Sequence, residues 1–384
     1  MLPLAGVKVV EFCQVAAGPF CGMLLADMGA DVIKVEPPEG DMLRQWPPIS
    51  NGYSENFASL NRNKRSVVLD LKNPEHKKRA RALILDADVV VENNRPGVMD
   101  RLGLGYASLK AEKPGLIYCS ISAFGQTGPR SGEGGFDVTV QAVSGIMSVT
   151  GEPDGAPVKC GVPVSDFAAG LYGAFAIAAK LREVQMGGAG GHVDVSMLGA
   201  SLGIAALQTS EYFGTGRDPR KLGSAHPRNA PYQAFKARDG YFVIAAGNDR
   251  LWQSVTEVVA RPDLLADARF TSTSLRAQNQ VALKDMLETE FAKQPVDHWI
   301  AAFEKAGVPH GRINSYAQVL ADPQVAHMGW IQPTTLPSGV ATRTFGFPVR
   351  FDGQTLALRR DPPALGGNSE AVFGAIDAAG KAAE

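Results

Sequence analysis

The chain has 384 residues, of which 45% are hydrophobic and 20% charged, and its formal net charge is −1. That length exceeds what one hydrophobic core usually serves, so two domains are expected, and the composition excludes a disordered or fibrous chain. Near-neutrality excludes a broad basic field for nucleic acid and a polybasic membrane anchor, so any phosphate must be held locally.

In chain order, residues 1–12 hold one lysine and a short valine run, without the long apolar region of a signal peptide. Val7–Glu11, Asp31–Glu36, Ser66–Leu71, Asp88–Glu92 and Leu116–Ser120 are predicted as buried strands. Between them, Pro19–Met28 and Pro74–Leu85 are predicted as helices, the second with Asn73 as cap and Pro74 in its first position. This alternation predicts a mostly parallel sheet covered on both faces. Gly125–Gly135 and Gly151–Gly161 are predicted loops. Phe167, Leu171, Phe175, Ala178 and Leu181 then recur at helical spacing and predict one long core helix. Its apolar stretch, Phe167–Ala179, is too short to span a bilayer. A strand at His192–Ser196 and an apolar helix to about Tyr212 follow.

Residues 216–231, rich in Gly, Pro and Arg, are predicted as a linker. Tyr232–Ala237 and Tyr241–Ala246 flank Arg238-Asp239-Gly240 as a β-hairpin. Helical patterns at Arg250–Ala260, Thr273–Ala292 and Val296–Ala306 complete a small α+β domain, residues 232–328. Residues 1–215 together with 329–384 make the larger domain, the proline-rich tail packing back upon it.

The four cysteines, Cys13, Cys21, Cys119 and Cys160, form no CxxC pair and have no histidine at zinc spacing. No metal site is expected, and free thiols fit a reducing, cytoplasmic compartment. G-x-S-x-G, phosphate-loop and H-E-x-x-H motifs are absent, and Gly103 with Gly105 is only a fragment of a dinucleotide fingerprint. Asp166 is more informative, lying in Gly161-Val-Pro-Val-Ser-Asp-Phe-Ala-Ala-Gly170 where a loop enters the long helix. In a first turn, unpaired N–H groups and the helix dipole should keep the carboxylate ionised. Such a carboxylate in a dry site can attack a thioester. The plainer reading is that Ser165 or Asp166 caps the helix.

From residue 4 to about 370 the chain resembles the family III CoA-transferases. The likeness runs through Val15-Ala-Ala-Gly-Pro19, Leu25-Ala-Asp-Met-Gly-Ala-Asp-Val-Ile-Lys-Val-Glu36, Asn61-Arg-Asn-Lys-Arg-Ser66 and Val91-Glu-Asn93. It continues through Phe124-Gly-Gln-Thr-Gly-Pro129, Gly135-Phe-Asp137 and Gly161-x-Pro-x-x-Asp166-x-x-Ala169-Gly170. The resemblance implies an α/β protein with a large Rossmann-like domain and a small α+β domain, assembled as an interlocked homodimer. It makes Asp166 the nucleophile, passing through aspartyl anhydride and aspartyl-CoA intermediates, with coenzyme A as a substrate and no other cofactor. It places Val15, Ala17, Asn93, Asn94 and Arg101 against CoA. Gln14, Ala16 and Gly247 fall in the substrate and oxyanion loops.

His226 and Arg228 are candidate contacts for the acceptor carboxylate, and the basic run Arg62, Lys64, Arg65 is a candidate for phosphate. His192 is expected to be structural. Ala16 and Ala245-Ala246-Gly247 depart from the formyl-CoA transferases, which argues against formyl-CoA and oxalate. Phe136 stands where the related α-methylacyl-CoA racemases carry a histidine, and it cannot take a proton. A protein that binds acyl-CoA without chemistry is the remaining alternative. Arg44, Arg217, Arg220 and Arg228 offer enough positive charge for a second carboxylate, so a dicarboxylic pair with succinyl-CoA as donor is the expected substrate class. No nucleic-acid or membrane partner is expected.

Overall fold

The computed structural model describes residues 2–383. The chain divides into two compact units, one comprising Met1–Ile146, Lys159–Arg217 and Pro323–Glu384, the other Met147–Val158 and Asp218–Asp322.

The first unit is built on six parallel strands: β1 (Lys8–Phe12), β2 (Asp31–Glu36), β3 (Lys64–Val68), β4 (Val89–Glu92), β5 (Ile117–Ser122) and β6 (Gly191–Ser196). Their order across the sheet is β3-β2-β1-β4-β5-β6. This is the doubly wound order, which reverses between β1 and β4 and opens a crevice at their carboxyl ends. β3 begins two residues before the predicted strand, because Lys64 pairs in register with Val32 of β2.

Strand alternation sends side chains to two cores. Val9, Val32, Val91, Cys119 and Ile121 pack beneath helices α1 (Ala17–Asp27) and, further along the chain, Val164–Gln185. Val10, Val35, Val67, Val90 and Tyr118 face the opposite side, covered by α2 (Pro74–Asp86) and the short helix α3 (Val98–Arg101). After α4 (Asp137–Val143) comes α5 (Val164–Gln185). At 22 residues α5 is longer than its predicted apolar stretch, and by length and composition it could cross a membrane. It instead buries Ala168, Ala169, Gly170, Gly173, Ala174, Ile177 and Leu181 in the core beside α1. α6 (Met197–Ile204) and α7 (Ala206–Thr215) follow.

In the second unit, β7 (Tyr232–Lys236), β8 (Tyr241–Ala245) and β9 (His310–Arg312) form an antiparallel sheet, with β7 and β8 as the predicted hairpin. α8 (Asp249–Val258) packs on it. The predicted helix over 273–292 is two, α9 (Thr273–Gln278) and α10 (Gln280–Phe291), broken at Asn279. With α11 (Val296–Lys305) these enclose an aromatic core of Phe235, Phe242, Phe291, Trp299 and Phe303.

The tail belongs to the first unit. It adds the hairpin β10 (Ile331–Thr335) and β11 (Ala341–Phe345), then α12 (Ser369–Ala383), a helix the sequence reading did not anticipate. Val372 and Phe373 of α12 are buried in the second-face core.

Candidate active site

Three cavities sit at the carboxyl ends of the central strands, where the strand order reverses. One, of about 230 Å3, is lined by Gln14, Val15, Ala16 and Ala17 after β1, Asn93 and Asn94 after β4, and Ser122 and Ala123 at the end of β5. Met42, Gly135, Phe136, Met197 and Asp166 complete its wall. Chain segments more than 150 residues apart in sequence therefore meet at one spot. A second cavity, of about 360 Å3, shares Asn93, Asn94, Ser122, Ala123, Gly135 and Phe136 with the first. The third, of about 410 Å3, shares Gln14 and Asn94 with the first. Its lining combines Phe12, Val35, Leu69, Leu71, Met99 and Leu102 with Lys72 and the acidic Glu36, Glu39 and Asp70.

Asp166 is the third residue of α5 and is half-buried. The cap position is held by Pro163, and no side chain caps the helix from there. The Ser165 N–H donates instead to Asp137 Oδ1 at 2.9 Å, while Gln141 Nε2 donates to Asp137 Oδ2 at 2.7 Å. Asp137 thus does the work that capping by Ser165 or Asp166 would have done. Among the described residues the Asp166 carboxylate has no hydrogen-bond partner. Burial, and then the nearby Asp137 charge, raise its pKa from the ordinary 3.8 to about 7. The expectation that the helix dipole keeps it firmly ionised is corrected: desolvation and a like charge outweigh the dipole.

Two close approaches set the position of α5. A Cβ on Gly170 would lie 2.8 Å from the Ala17 carbonyl and 2.9 Å from the Phe20 ring. Phe20 and Phe167 meet with centroids 4.5 Å apart. α1 and the first turn of α5 are therefore locked together.

The turn before α1 is gripped on several sides. Lys34 Nζ donates to the Cys13 carbonyl at 2.7 Å. Gln14 N–H donates to Asn93 Oδ1 and Asn93 Nδ2 donates to the Gln14 carbonyl, both at 2.9 Å. Val15 N–H donates to Asp41 Oδ1 at 3.0 Å. Val15 has φ +64°, an uncommon conformation for a β-branched residue. Ala17 is the first residue of α1, two before the predicted start, and no side chain caps that helix. Its first N–H groups are left for a ligand. The Asn93 amide is engaged by the turn, whereas Asn94 donates to the Phe12 carbonyl at 3.3 Å and borders all three cavities.

Arg101 is exposed at the end of α3, between Met99 and Leu102, which line the third cavity. The basic run is not available to phosphate. Arg62 pairs with Asp27 at 2.6 Å, Lys64 with Glu11 at 2.9 Å in full burial, and Arg65 with Asp31. Arg44 is likewise taken, by Glu36 at 2.7 Å and by the Phe57 ring 3.7 Å away. His192 stacks on Tyr106 and bonds Ser120 at 2.9 Å, a structural placement. Most of these pairings were hidden because Glu11 and Asp31 meet Lys64 and Arg65 only when β1, β2 and β3 are side by side, and Asp27 meets Arg62 only when α1 packs near the start of β3. A signal did exist, since charges inside β-branched strands predicted to be buried require partners.

Gly247, His226 and Arg228 lie on the second unit. A Cβ on Gly247 would meet Asn229 at an ordinary 3.5 Å, so its own unit does not require a glycine there. His226 Nδ1 accepts the Arg228 and Asn229 N–H groups, each at 3.1 Å. Burial, aided by the Arg228 charge, lowers the His226 pKa, and with Nδ1 accepting two N–H groups the neutral ring carries its proton on Nε2.

The comparisons with known proteins agree with one another. The sequence matches the model of CoA-transferase family III over residues 4–369. It is 38% identical over 383 residues to a succinate–glutarate CoA-transferase of Agrobacterium fabrum, covering 98% of this chain and 96% of that protein. It is 41% identical over 326 residues to an acetyl-CoA:oxalate CoA-transferase of Acetobacter aceti, covering 84% of each. The crystal structure of a CAIB/BAIF family protein from Brucella suis matches with TM-score 0.87 at 40% identity, covering 98% of this chain and 100% of that one. Near-complete coverage at such identity places the protein in CoA-transferase family III, as an enzyme that moves coenzyme A from an acyl-CoA thioester to a carboxylic acid.

Proposed function

We propose that Asp166 is the nucleophile and that the two acids are dicarboxylates, with succinyl-CoA as donor. The observation that carries this reading is a half-buried carboxylate with no hydrogen-bond partner among the described residues, lining the same cavity as the uncapped start of α1.

Asp166 attacks the donor thioester carbonyl and expels CoA thiolate, leaving an aspartyl–acyl anhydride. The thiolate attacks the aspartyl carbonyl of the anhydride, releasing the first acid and forming aspartyl-CoA. The incoming carboxylate attacks that thioester, regenerating a mixed anhydride and thiolate. Attack of thiolate on the new acyl carbonyl yields product and free Asp166. The first N–H groups of α1, from Ala16 onward, are suited to the oxyanions of these steps. No group beyond CoA itself is needed, because the thioester is already activated. The third cavity is assigned to the nucleotide end of CoA for its apolar floor and Lys72, the acidic Glu36, Glu39 and Asp70 also lining it, and Gln14 with Asn94 joins it to the Asp166 cavity. Gly247, and His226 with Arg228, remain the candidates for contact with the acceptor carboxylate. The interlocked homodimer belongs to this proposal. The glutarate transferase supports a diacid pair, and the oxalate transferase adds oxalate to the acids worth testing.

The test is a screen of mono- and dicarboxylic acceptors against succinyl-CoA and acetyl-CoA, read by mass spectrometry. The wild-type enzyme is expected to exchange CoA with diacids and to carry a CoA adduct on Asp166, and Asp166→Ala to do neither. Robust exchange by Asp166→Ala removes the nucleophile. Phe136, which lines the cavity, cannot serve as a base. Deuterium is therefore not expected at C2 of a 2-methylacyl-CoA incubated without an acceptor.

A further inference from the structure

We propose that Lys34 and Asp41 are positioning residues for CoA transfer, a buried ion pair that holds the Cys13–Val15 turn in the shape that aims the start of α1 at the thioester. The proposal rests on the reading of the Asp166 cavity as the site of transfer.

The pair is built from the sheet outward. Glu11 of β1 and Lys34 of β2 are partners in register, so both side chains lie on the face beneath α1. Lys34 Nζ has acceptors in Asp41 Oδ2 at 2.9 Å, the Cys13 carbonyl at 2.7 Å and Glu11 Oε1 at 3.4 Å. Asp41 Oδ1 accepts the Leu43 N–H at 2.9 Å and the Val15 N–H at 3.0 Å. Both side chains are fully buried. Burial opposes charge on Asp41, but Lys34 and the backbone N–H donors outweigh it and keep its pKa below the ordinary carboxylate value.

A buried ion pair adds little net stability over apolar side chains of similar size, so what it supplies is a defined conformation. Removing the pair also leaves the remaining charges balanced, because Lys64 still faces Glu11 and Arg44 still faces Glu36. Asn93 holds the two backbone groups of Gln14, and the Lys34–Asp41 pair holds the groups on either side, the Cys13 carbonyl and the Val15 N–H. The left-handed backbone of Val15 is disfavoured for a β-branched residue. Without Asp41 the turn is expected to relax to negative φ and to rotate Ala16 and Ala17 away from the cavity they line.

The experiment compares full-length wild type with Lys34→Met/Asp41→Leu and Lys34→Met/Asp41→Asn, using the best substrate pair from the acid screen. Both variants are expected to fold, with melting temperatures within about 5 °C of wild type. In Lys34→Met/Asp41→Leu, kcat is expected to fall at least about tenfold while KM for the thioester stays within about threefold. The Asn variant keeps an acceptor oxygen for the Val15 N–H and is expected to recover to within about threefold of wild-type kcat. A folded Leu variant with wild-type kcat overturns the proposal, as does an Asn variant no better than the Leu variant. Should the Leu variant fail to fold, Asp41→Glu serves instead. It retains the charge but is one methylene longer, and a wild-type kcat in that folded protein also overturns the proposal. The CoA adduct separates the two readings. If wild type turns over without ever carrying CoA on Asp166, the nucleophile assignment falls, and the ion pair is still judged on kcat with the same outcomes.

Discussion

Burial and the Asp137 carboxylate raise the Asp166 pKa to about 7, which ties catalysis and stability to pH in opposite directions. Attack requires the ionised form, so kcat/KM should rise with pH through an acid limb near 7. Asp137→Asn removes the like charge and should move that limb down by up to about one pH unit, read from the pH–rate profile. Stability runs the other way. The folded-state pKa lies above the unfolded value of about 3.8, so between pH 4 and 7 the folded protein holds more protons than the unfolded chain and loses stability as pH rises across that window. Asp166→Asn escapes this penalty. It should be inactive yet more stable than wild type at pH 8, by about 1–3 kcal/mol for a half-buried group, with the gap closing below pH 4 in denaturant titrations. Equal stability at both pH values would contradict the raised pKa. Asp166 was legible from its motif, but its protonation was not, because the Asp137 that perturbs it lies 29 residues earlier in the chain.

Helix α1 is held between two demanding surfaces. On the sheet side, a Cβ on Gly22 would fall 1.8 Å from Glu11 Oε2, and the Pro19 carbonyl accepts Lys64 Nζ at 2.8 Å. Gly22→Ala must displace the Glu11–Lys64 pair and should destabilise the protein by about 3 kcal/mol or more, measured by chemical denaturation. On the α5 side, Gly170 abuts Ala17 and Phe20. Gly170→Ala should push the two helices apart and lower kcat about 10- to 100-fold, with little change in CoA affinity by calorimetry. Sequence periodicity located both helices and most strands to within a few residues. It could not say which glycines are there for close approach, since that depends on which helix faces which.

At the scale of the whole molecule, α7 buries none of its residues, and Phe213 is 83% exposed. On α5, Phe175 is 75% exposed. Apolar side chains of this size left open in a chain by itself mark a surface made for protein contact, which fits the proposed homodimer. Sedimentation should give a dimer for wild type, and Phe175→Glu/Phe213→Glu should yield monomer or aggregate; a stable wild-type monomer would refute the dimer. The sequence by itself determined the local facts: the parallel α/β alternation, the hairpin of the second unit, the loop-to-helix entry that carries Asp166 and the motifs that mark the family. These depend on residues within a few positions of each other, or on the order in which they occur. Only the tertiary structure decided which charges are engaged. Arg44, Arg62 and Lys64 look in the sequence like ligands for phosphate or carboxylate, yet each has an internal carboxylate partner. The reason is physical: an ion pair is set by distance in space, and Arg62–Asp27 and Lys64–Glu11 close over 35 and 53 residues of chain, while Arg44 and Glu36, eight residues apart, meet because the chain turns back after β2.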